Sequence, residues 1–150
     1  MEQSADMRRI FTSMNLIDGL YDFGAKWNGV KVNTLYLLYA VDDGEPHTQN
    51  SICHDWIIRG TTLKTIVKEC KSAGYVTLEP VPGRKRDLYI RLTEQGKAFA
   101  DETLAPIYEA EQKAIDRMTR ERGLDFISDL EQFGLYLREA FEGVAENEEP

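Results

Sequence analysis

The chain has little cysteine: Cys53 and Cys70 are its only two, and neither sits in a Cys-x-x-Cys pair or a Cys/His spacing that holds zinc. Neither a disulfide framework nor a metal site is suggested. Long apolar runs are missing as well. No stretch approaches the roughly 20 apolar residues of a membrane span, and the opening Met1-Glu2-Gln3-Ser4-Ala5-Asp6 has no basic segment leading into an apolar one. We therefore expect a cytoplasmic protein without a membrane partner. There is no internal repeat or low-complexity segment, and 150 residues allow one domain with a real core rather than two large ones.

Positive charge is also scarce, with 18 Lys and Arg against 26 Asp and Glu and a net charge of −8. Taken alone, that argues against a nucleic-acid partner, because holding DNA means neutralising phosphates. The distribution reverses the inference. Between Pro46 and Leu92 there are eight basic residues (Arg59, Lys64, Lys68, Lys71, Arg84, Lys85, Arg86, Arg91) and four acids, a local excess of +4 that leaves −12 for the rest. A basic middle between acidic ends suits a DNA-reading module held by acidic helices, with chance clustering as the alternative.

Periodicity supplies the elements. From Ala5 to Phe23, Ile10, Met14, Ile17 and Tyr21 recur at three and four residues, an amphipathic helix that Trp27-Asn28-Gly29 breaks. Asn33 is placed to cap a second helix, whose run Leu35-Tyr36-Leu37-Leu38-Tyr39 is apolar on nearly every side and belongs at the centre of the fold. Thr48 is placed to cap a short third helix with Ile52, Cys53 and Trp56. A fourth, the expected recognition helix, runs from about Thr61 to Ala73, with Leu63, Ile66, Val67 and Cys70 facing inward and Thr62, Lys64, Thr65, Lys68 and Lys71 outward. The period then changes to two for Val76 and Leu78, and for Leu88, Ile90 and Leu92, giving a hairpin with a basic tip. Thr93 can cap a long helix towards Met118, in which Pro106 predicts a kink. A last helix carries Phe126, Leu130, Phe133, Leu137 and Phe141 on one stripe.

Helix, short turn, helix and hairpin in this order predict a mainly α protein with a small β-hairpin wing, a winged helix-turn-helix, and the apolar stripes of the first and last helices, more than so small a domain can cover, make these its flanking dimerisation helices. We expect an N-terminal dimerisation helix over 1–30, a DNA-binding lobe over 31–95, C-terminal dimerisation helices over 96–145 and a disordered tail over 146–150. The outward row Thr61, Thr62, Lys64, Thr65 and Lys68, with Arg59 before it, offers hydroxyls and cations to base edges and phosphates in a major groove; the alternative is a solvated face. Arg84, Lys85 and Arg86 on the wing tip suit a narrow minor groove. Tyr21, Trp27, Tyr36, Tyr39 and His47 line an aromatic ligand pocket or simply fill the core. Cys53-His54-Asp55 offers a nucleophile, base and orienter in name only, since consecutive helical residues point about 100° apart. No enzyme activity is expected of them.

The residues also resemble a known family. Thr48-Gln49-Asn50-Ser51-Ile52-Cys53, Thr61-Thr62-Leu63-Lys64-Thr65-Ile66-Val67, Ala73-Gly74-Tyr75-Val76, Arg84-Lys85-Arg86 and Leu92-Thr93-Glu94-Gln95-Gly96 look like the MarR family of bacterial regulators. The resemblance covers nearly the whole chain. It implies a homodimer joined by the terminal helices, a pseudo-palindromic operator in double-stranded DNA, repression, and release by a small, often aromatic or phenolic, ligand. Arg86 falls at the family's wing arginine. Two departures stand out: Arg84 occupies the place of an aspartate two residues before that arginine, so a local ion pair is expected to be lost, and Ile57 replaces a small residue in the turn between the motif helices. Cys53 and Cys70 fall at packing positions, with a redox role for Cys70 favoured only by Lys68 and Lys71 nearby. The rival readings are a winged-helix module that binds another protein, and an inert fragment related to enzymes that dimerise through a winged helix.

Overall fold

The computed structural model describes residues 4–56, 58–84 and 86–146. Ile57, Lys85 and the tail from 147 onward lie outside the described residues. The elements run α1 (Ala5–Trp27), α2 (Val32–Val41), β1 (His47–Thr48), α3 (Gln49–Asp55), α4 (Gly60–Ser72), β2 (Val76–Pro80), β3 (Leu88–Leu92), α5 (Glu94–Glu121) and α6 (Asp125–Glu146). They fall into two compact units, Met1–Ile107 and Tyr108–Pro150, taken here in turn.

In the first unit α2 is buried on two sides, as its apolar run requires. Leu37, Ala40 and Val41 join Ile52 of α3, the inward row Leu63, Ile66, Val67 and Cys70 of α4, and Val76 and Ile90 of the sheet in one core. Leu35 and Leu38 face the other way, into a second core with Ala25, Ala100, Leu104 and Ile107. The fourfold inward row of α4 leaves its opposite face to solvent, since the buried positions recur at three and four residues.

Local chemistry fixes the ends of these elements. Thr48 and Ser51 form a capping box: the Thr48 hydroxyl accepts from the Ser51 amide at 3.0 Å, and the Ser51 hydroxyl accepts from the Thr48 amide at 3.0 Å. Thr48 does a second job, pairing with Tyr89 while His47 pairs with Ile90, so that β1 adds a third strand in the order β1-β3-β2. A two-residue strand has no period to read, and the sequence predicts only the hairpin. Helix α2 starts after Lys31, not after Asn33, which lies inside it. The Lys31 carbonyl already accepts from Thr34 and Leu35, and no side chain caps the helix. Trp56 follows α3 as its C-cap rather than lying within it. Helix α5 is continuous through Pro106.

The start of α5 is pinned to the end of α4. The Thr93 hydroxyl accepts from the Gly96 amide at 2.9 Å, capping α5, and donates to the carbonyls of Gly74 (2.6 Å) and Tyr75 (3.3 Å). The Tyr75 carbonyl also accepts from the Thr93 amide at 3.0 Å. Gly96 packs so tightly here that a Cβ would lie 1.8 Å from the Tyr75 oxygen. The Leu-Thr-x-x-Gly motif is therefore a packing joint, in which the threonine supplies the bonds and the glycine the room.

In the second unit, residues 108–121 of α5 and all of α6 bury nothing fully among the described residues. Leu130 is 53% exposed and Phe141 67%. No helix of the described residues is long and apolar enough to cross a membrane.

The joint makes a stability prediction. Gly96→Ala must move backbone against backbone and should cost about 3 kcal/mol or more, whereas Thr93→Ala loses a cap and should cost about 1–2 kcal/mol. Urea midpoints measured at unchanged m-value check the order; equal losses would mean that α5 has room to shift.

Candidate nucleic-acid interface and an aromatic groove

Helix α4 is solvated along Thr61, Lys64, Thr65 and Lys68, with Thr62 half-buried beside them. Arg59, exposed, occupies its N-cap without a side-chain hydrogen bond, so the amides of the first turn point outward unfilled by a capping side chain. Those amides and the helix dipole favour an anion at this end. The Thr65 hydroxyl donates to the Thr61 carbonyl at 3.1 Å. Its proton is thus engaged, and what Thr65 offers outward is an acceptor oxygen and a methyl group. These suit the amino groups of cytosine or adenine and the methyl of thymine.

Charge on this face is arranged by pairing. The one acid of α4, Glu69, is held by Lys31, whose ammonium lies 3.0 Å from both carboxylate oxygens. Lys26, Arg91, Lys97, Lys113 and Arg117 likewise have carboxylate partners. Among the described residues, Arg59, Lys64, Lys68, Lys71 and Arg86 have no acidic partner; Arg120, Arg122 and Arg138, of the second unit, are the others. The unpaired cations of the first unit are therefore gathered on α4, the residue before it, and the wing.

The wing tip is a tight turn. The Arg84 amide donates to the Val81 carbonyl at 3.0 Å across Pro82 and Gly83, and Gly83 has φ +77°, which disfavours any side chain at that position. Arg84 and Arg86 are both exposed, while Lys85 lies outside the described residues. The ion pair of the wing involves a different arginine from the one at the family's wing position: Arg84 lies 3.7 Å from Asp87, whereas Arg86 has no acidic partner among the described residues. Asp87 is 4% exposed, and one oxygen accepts from the Leu88 amide at 3.1 Å. The other has no hydrogen-bond partner among the described residues. A carboxylate held this way out of water draws the guanidinium towards it and orders the base of the tip.

The thiols offer little chemistry. Burial, and then the charge of Glu69, push the Cys70 thiol up, against the direction a reactive thiolate needs and despite Lys68 and Lys71. Cys53 packs against the core. His54 and Asp55 do meet, at 2.8 Å on the surface, although neighbouring helical positions were not expected to converge. They form a solvated pair with Cys53 turned inward.

The five aromatic and histidine candidates are only partly brought together. Tyr21, Tyr36, Trp56 and Tyr39 form a closed ring of contacts, with centroids 6.2 Å (Tyr21–Tyr36), 6.2 Å (Tyr36–Trp56), 5.5 Å (Tyr39–Trp56) and 6.4 Å (Tyr21–Tyr39) apart. Tyr21, Tyr36 and Trp56 border an open groove of about 370 Å³. Trp27, 70% exposed, and His47, bonded to Asp43 at 2.8 Å, lie elsewhere. Sequence reasoning missed Trp56 and Asp18 for this groove; an acid three residues before Tyr21 on the same helix was the available signal. The Tyr36 hydroxyl donates to Asp18 at 2.6 Å. Burial, then that bond and the Asp18 charge, raise its pKa far above the usual phenol range.

Helix α3, the turn, α4 and the β2–β3 wing define a winged helix-turn-helix. Solved structures share this architecture over nearly the whole chain. A MarR family regulator from Neisseria meningitidis is 22% identical with a TM-score of 0.73, covering 97% of this chain and 100% of that one. A MarR family transcriptional regulator from Silicibacter pomeroyi DSS-3 is 16% identical with a TM-score of 0.72, covering 89% and 96%. AbfR bound to DNA in its reduced form is 20% identical with a TM-score of 0.65, covering 91% and 92%. No protein-family profile and no curated protein matches the sequence. The fold of this chain is that of the MarR family regulators.

Tyr36 gives a pH-dependent signature. Its raised pKa means that the folded state holds the phenol proton more tightly than the unfolded chain does. The stabilisation is therefore complete below the ordinary phenol pKa, near 10, and is lost as pH rises through the higher folded value. In an alkaline titration followed by tyrosinate absorbance, Tyr36→Phe should leave the main transition unchanged and remove only its latest part. Loss of amplitude from the main transition would place Tyr36 in ordinary solvent.

Proposed function

We propose that this protein is a cytoplasmic, homodimeric transcriptional regulator that binds a pseudo-palindromic operator in double-stranded DNA. Helix α4 of each protomer enters a major groove and the wing follows the adjacent minor groove. The protein represses by steric exclusion and is released when a small molecule binds. The reading assigns it no enzyme activity.

The observation that carries this reading is the set of unpaired cations on α4 and the wing of an otherwise acidic chain, where most other cations are matched to carboxylates. Cations held near one another without counter-charges gain most from a polyanion, by releasing its condensed counterions. The uncapped first turn of α4 adds amides for a phosphate, and Thr65 adds a neutral group for a base edge. The structure of AbfR bound to DNA lends the reading support by likeness of fold. Dimerisation is supported by apolar surface that neither unit covers: Phe11, Leu16, Leu20 and Phe23 on α1, and Phe126, Leu130 and Phe141 on α6, are all exposed.

Two variants should differ in kind. Arg86→Ala should weaken binding to specific and random duplexes alike and reduce the slope of log K against log salt by about one. Thr65→Ala, which leaves the charge unchanged, should relax preference at one position of each half-site, by about 1–3 kcal/mol. Titrations over a salt series and an operator panel measure both. If both variants bind every duplex as the parent does, the chain reads no DNA through these surfaces and is better described as a protein-interaction module.

Leu130→Glu places a charge on an apolar surface that is exposed within its own chain, so the protomer should still fold while the dimer dissociates. Sedimentation at micromolar concentration should show the parent as a dimer and the variant as a monomer, with DNA affinity reduced because the two half-sites are no longer linked. A parent that sediments as a monomer contradicts the proposal.

A further inference from the structure

The groove beside α1 has a charge opposite to that of the DNA-reading face. It lies between α1 and α2 and is bordered by Tyr21, Tyr36 and Trp56 together with Met14, Ile17 and Ile58. Among the described residues its one ionisable carboxylate is Asp18, and no lysine, arginine or histidine lines it. One Asp18 oxygen accepts from the Tyr36 hydroxyl; the other has no partner among the described residues. Asp22, one turn along α1, adds negative charge felt at the Tyr36 hydroxyl, although Lys26 partly offsets it. At about 370 Å³ the groove falls within the usual range of small-molecule sites, about 300–1,000 Å³.

From the convergence of three aromatic rings and the Asp18 carboxylate on one open groove, we propose that it binds an organic cation: an amine or quaternary ammonium carrying an apolar, aromatic-sized body. Ring faces attract a cation through their quadrupole, and a carboxylate at the rim supplies the counter-charge. An anionic phenol, which the family resemblance allows, would have to lose water beside Asp18 with no cation among the described lining residues to receive it. The proposal deepens the effector part of the function argued above and rests on that reading only for its consequence on DNA. That consequence follows from the lining: Trp56 is the C-cap of α3 and Ile58 lies two residues before α4 begins. An occupant that presses on both therefore bears on the end of α3 and on the approach to α4.

Trp56 reports on the groove. With Trp27→Phe as the parent it is the only tryptophan, and its fluorescence is followed against benzyltrimethylammonium, tert-butyl phenyl carbinol as a neutral analogue, and salicylate. The cation should saturate the signal about tenfold more tightly than either comparator. Asp18→Asn should abolish that preference while leaving carbinol binding and the thermal melt in place. If Asp18→Asn does not fold, Tyr36→Phe keeps the ring and releases the carboxylate, and should bind the cation at least as well as the parent. The proposal is overturned if the cation does not saturate, if salicylate binds as tightly, if Asp18→Asn keeps the preference, if Tyr36→Phe loses cation binding tenfold, or if the Trp56 signal depends on protein concentration alone, which would mean a second copy fills the groove. Duplex binding measured on the same samples separates the two claims. DNA binding without ammonium binding overturns the groove and leaves the regulator reading intact; ammonium binding without DNA binding supports the groove and overturns the regulator.

Discussion

Helix α5 can begin where it does because residue 96 has no side chain. The Gly96 position is closed by the Tyr75 carbonyl, which also accepts from the amide and hydroxyl of Thr93. That one carbonyl therefore ties the exit of α4, the end of β3 and the start of α5 together. The consequence reaches outward in both directions. Upstream, the inward row of α4 is seated on α2 and the sheet, so the direction of its solvated face is set by packing rather than by anything the face itself touches. Downstream, Ala100, Leu104 and Ile107 of α5 complete the core on the other side of α2. A short polar motif thus fixes the geometry of a surface made by other residues.

On that surface, position in the fold decides which charges are available. Exposed ion pairs contribute little to stability, so matching Lys31 to Glu69 or Lys97 to Asp42 and Asp101 cannot be explained by the energy of the pairs alone. Its effect on the field is larger. Pairing removes Glu69 as a competitor on the one helix where a negative charge would oppose a polyanion, and leaves Lys64 and Lys68 uncompensated. An acidic chain can in this way present a basic patch without a basic composition. The buried Asp87 is the exception, a single carboxylate set into the wing where it restrains Arg84.

Most of this architecture was legible in the sequence because it depends on period and on capping chemistry. The three-and-four spacing of Leu63, Ile66, Val67 and Cys70 can be read without coordinates, and so can Thr48 and Thr93 as caps. What escaped depends on partners distant in sequence. Strand β1 exists only because β3 offers His47 and Thr48 an edge. Helix α2 starts at Val32 because the turn after α1 delivers an extended Lys31, which removes any need for Asn33 as a cap. The pair between Arg84 and Asp87 escaped because the turn that brings these two residues together is not a periodic feature. The groove was half legible: Tyr21 and Tyr36 could be named, but Trp56 reads as part of a helix and Asp18 as one solvated acid among many until α1 is laid beside α2.

The two surfaces of the first unit bear on each other through charge as well as through the chain. If the unpaired cations of α4 and the wing hold phosphates, an anionic effector at useful concentration would also be drawn to those cations, screening them without selectivity. A cationic effector avoids that competition, because the carboxylate that attracts it sits apart from the reading face and the reading face repels it. On the proposed reading, a response to the ligand has to pass through Trp56, which ends α3, and Ile58, which precedes α4. A ligand shifts such an equilibrium only by the difference between its affinities for the two arrangements of that segment. The groove can therefore act on DNA binding only insofar as the rings around Trp56 are differently placed when α4 is seated in a groove of DNA.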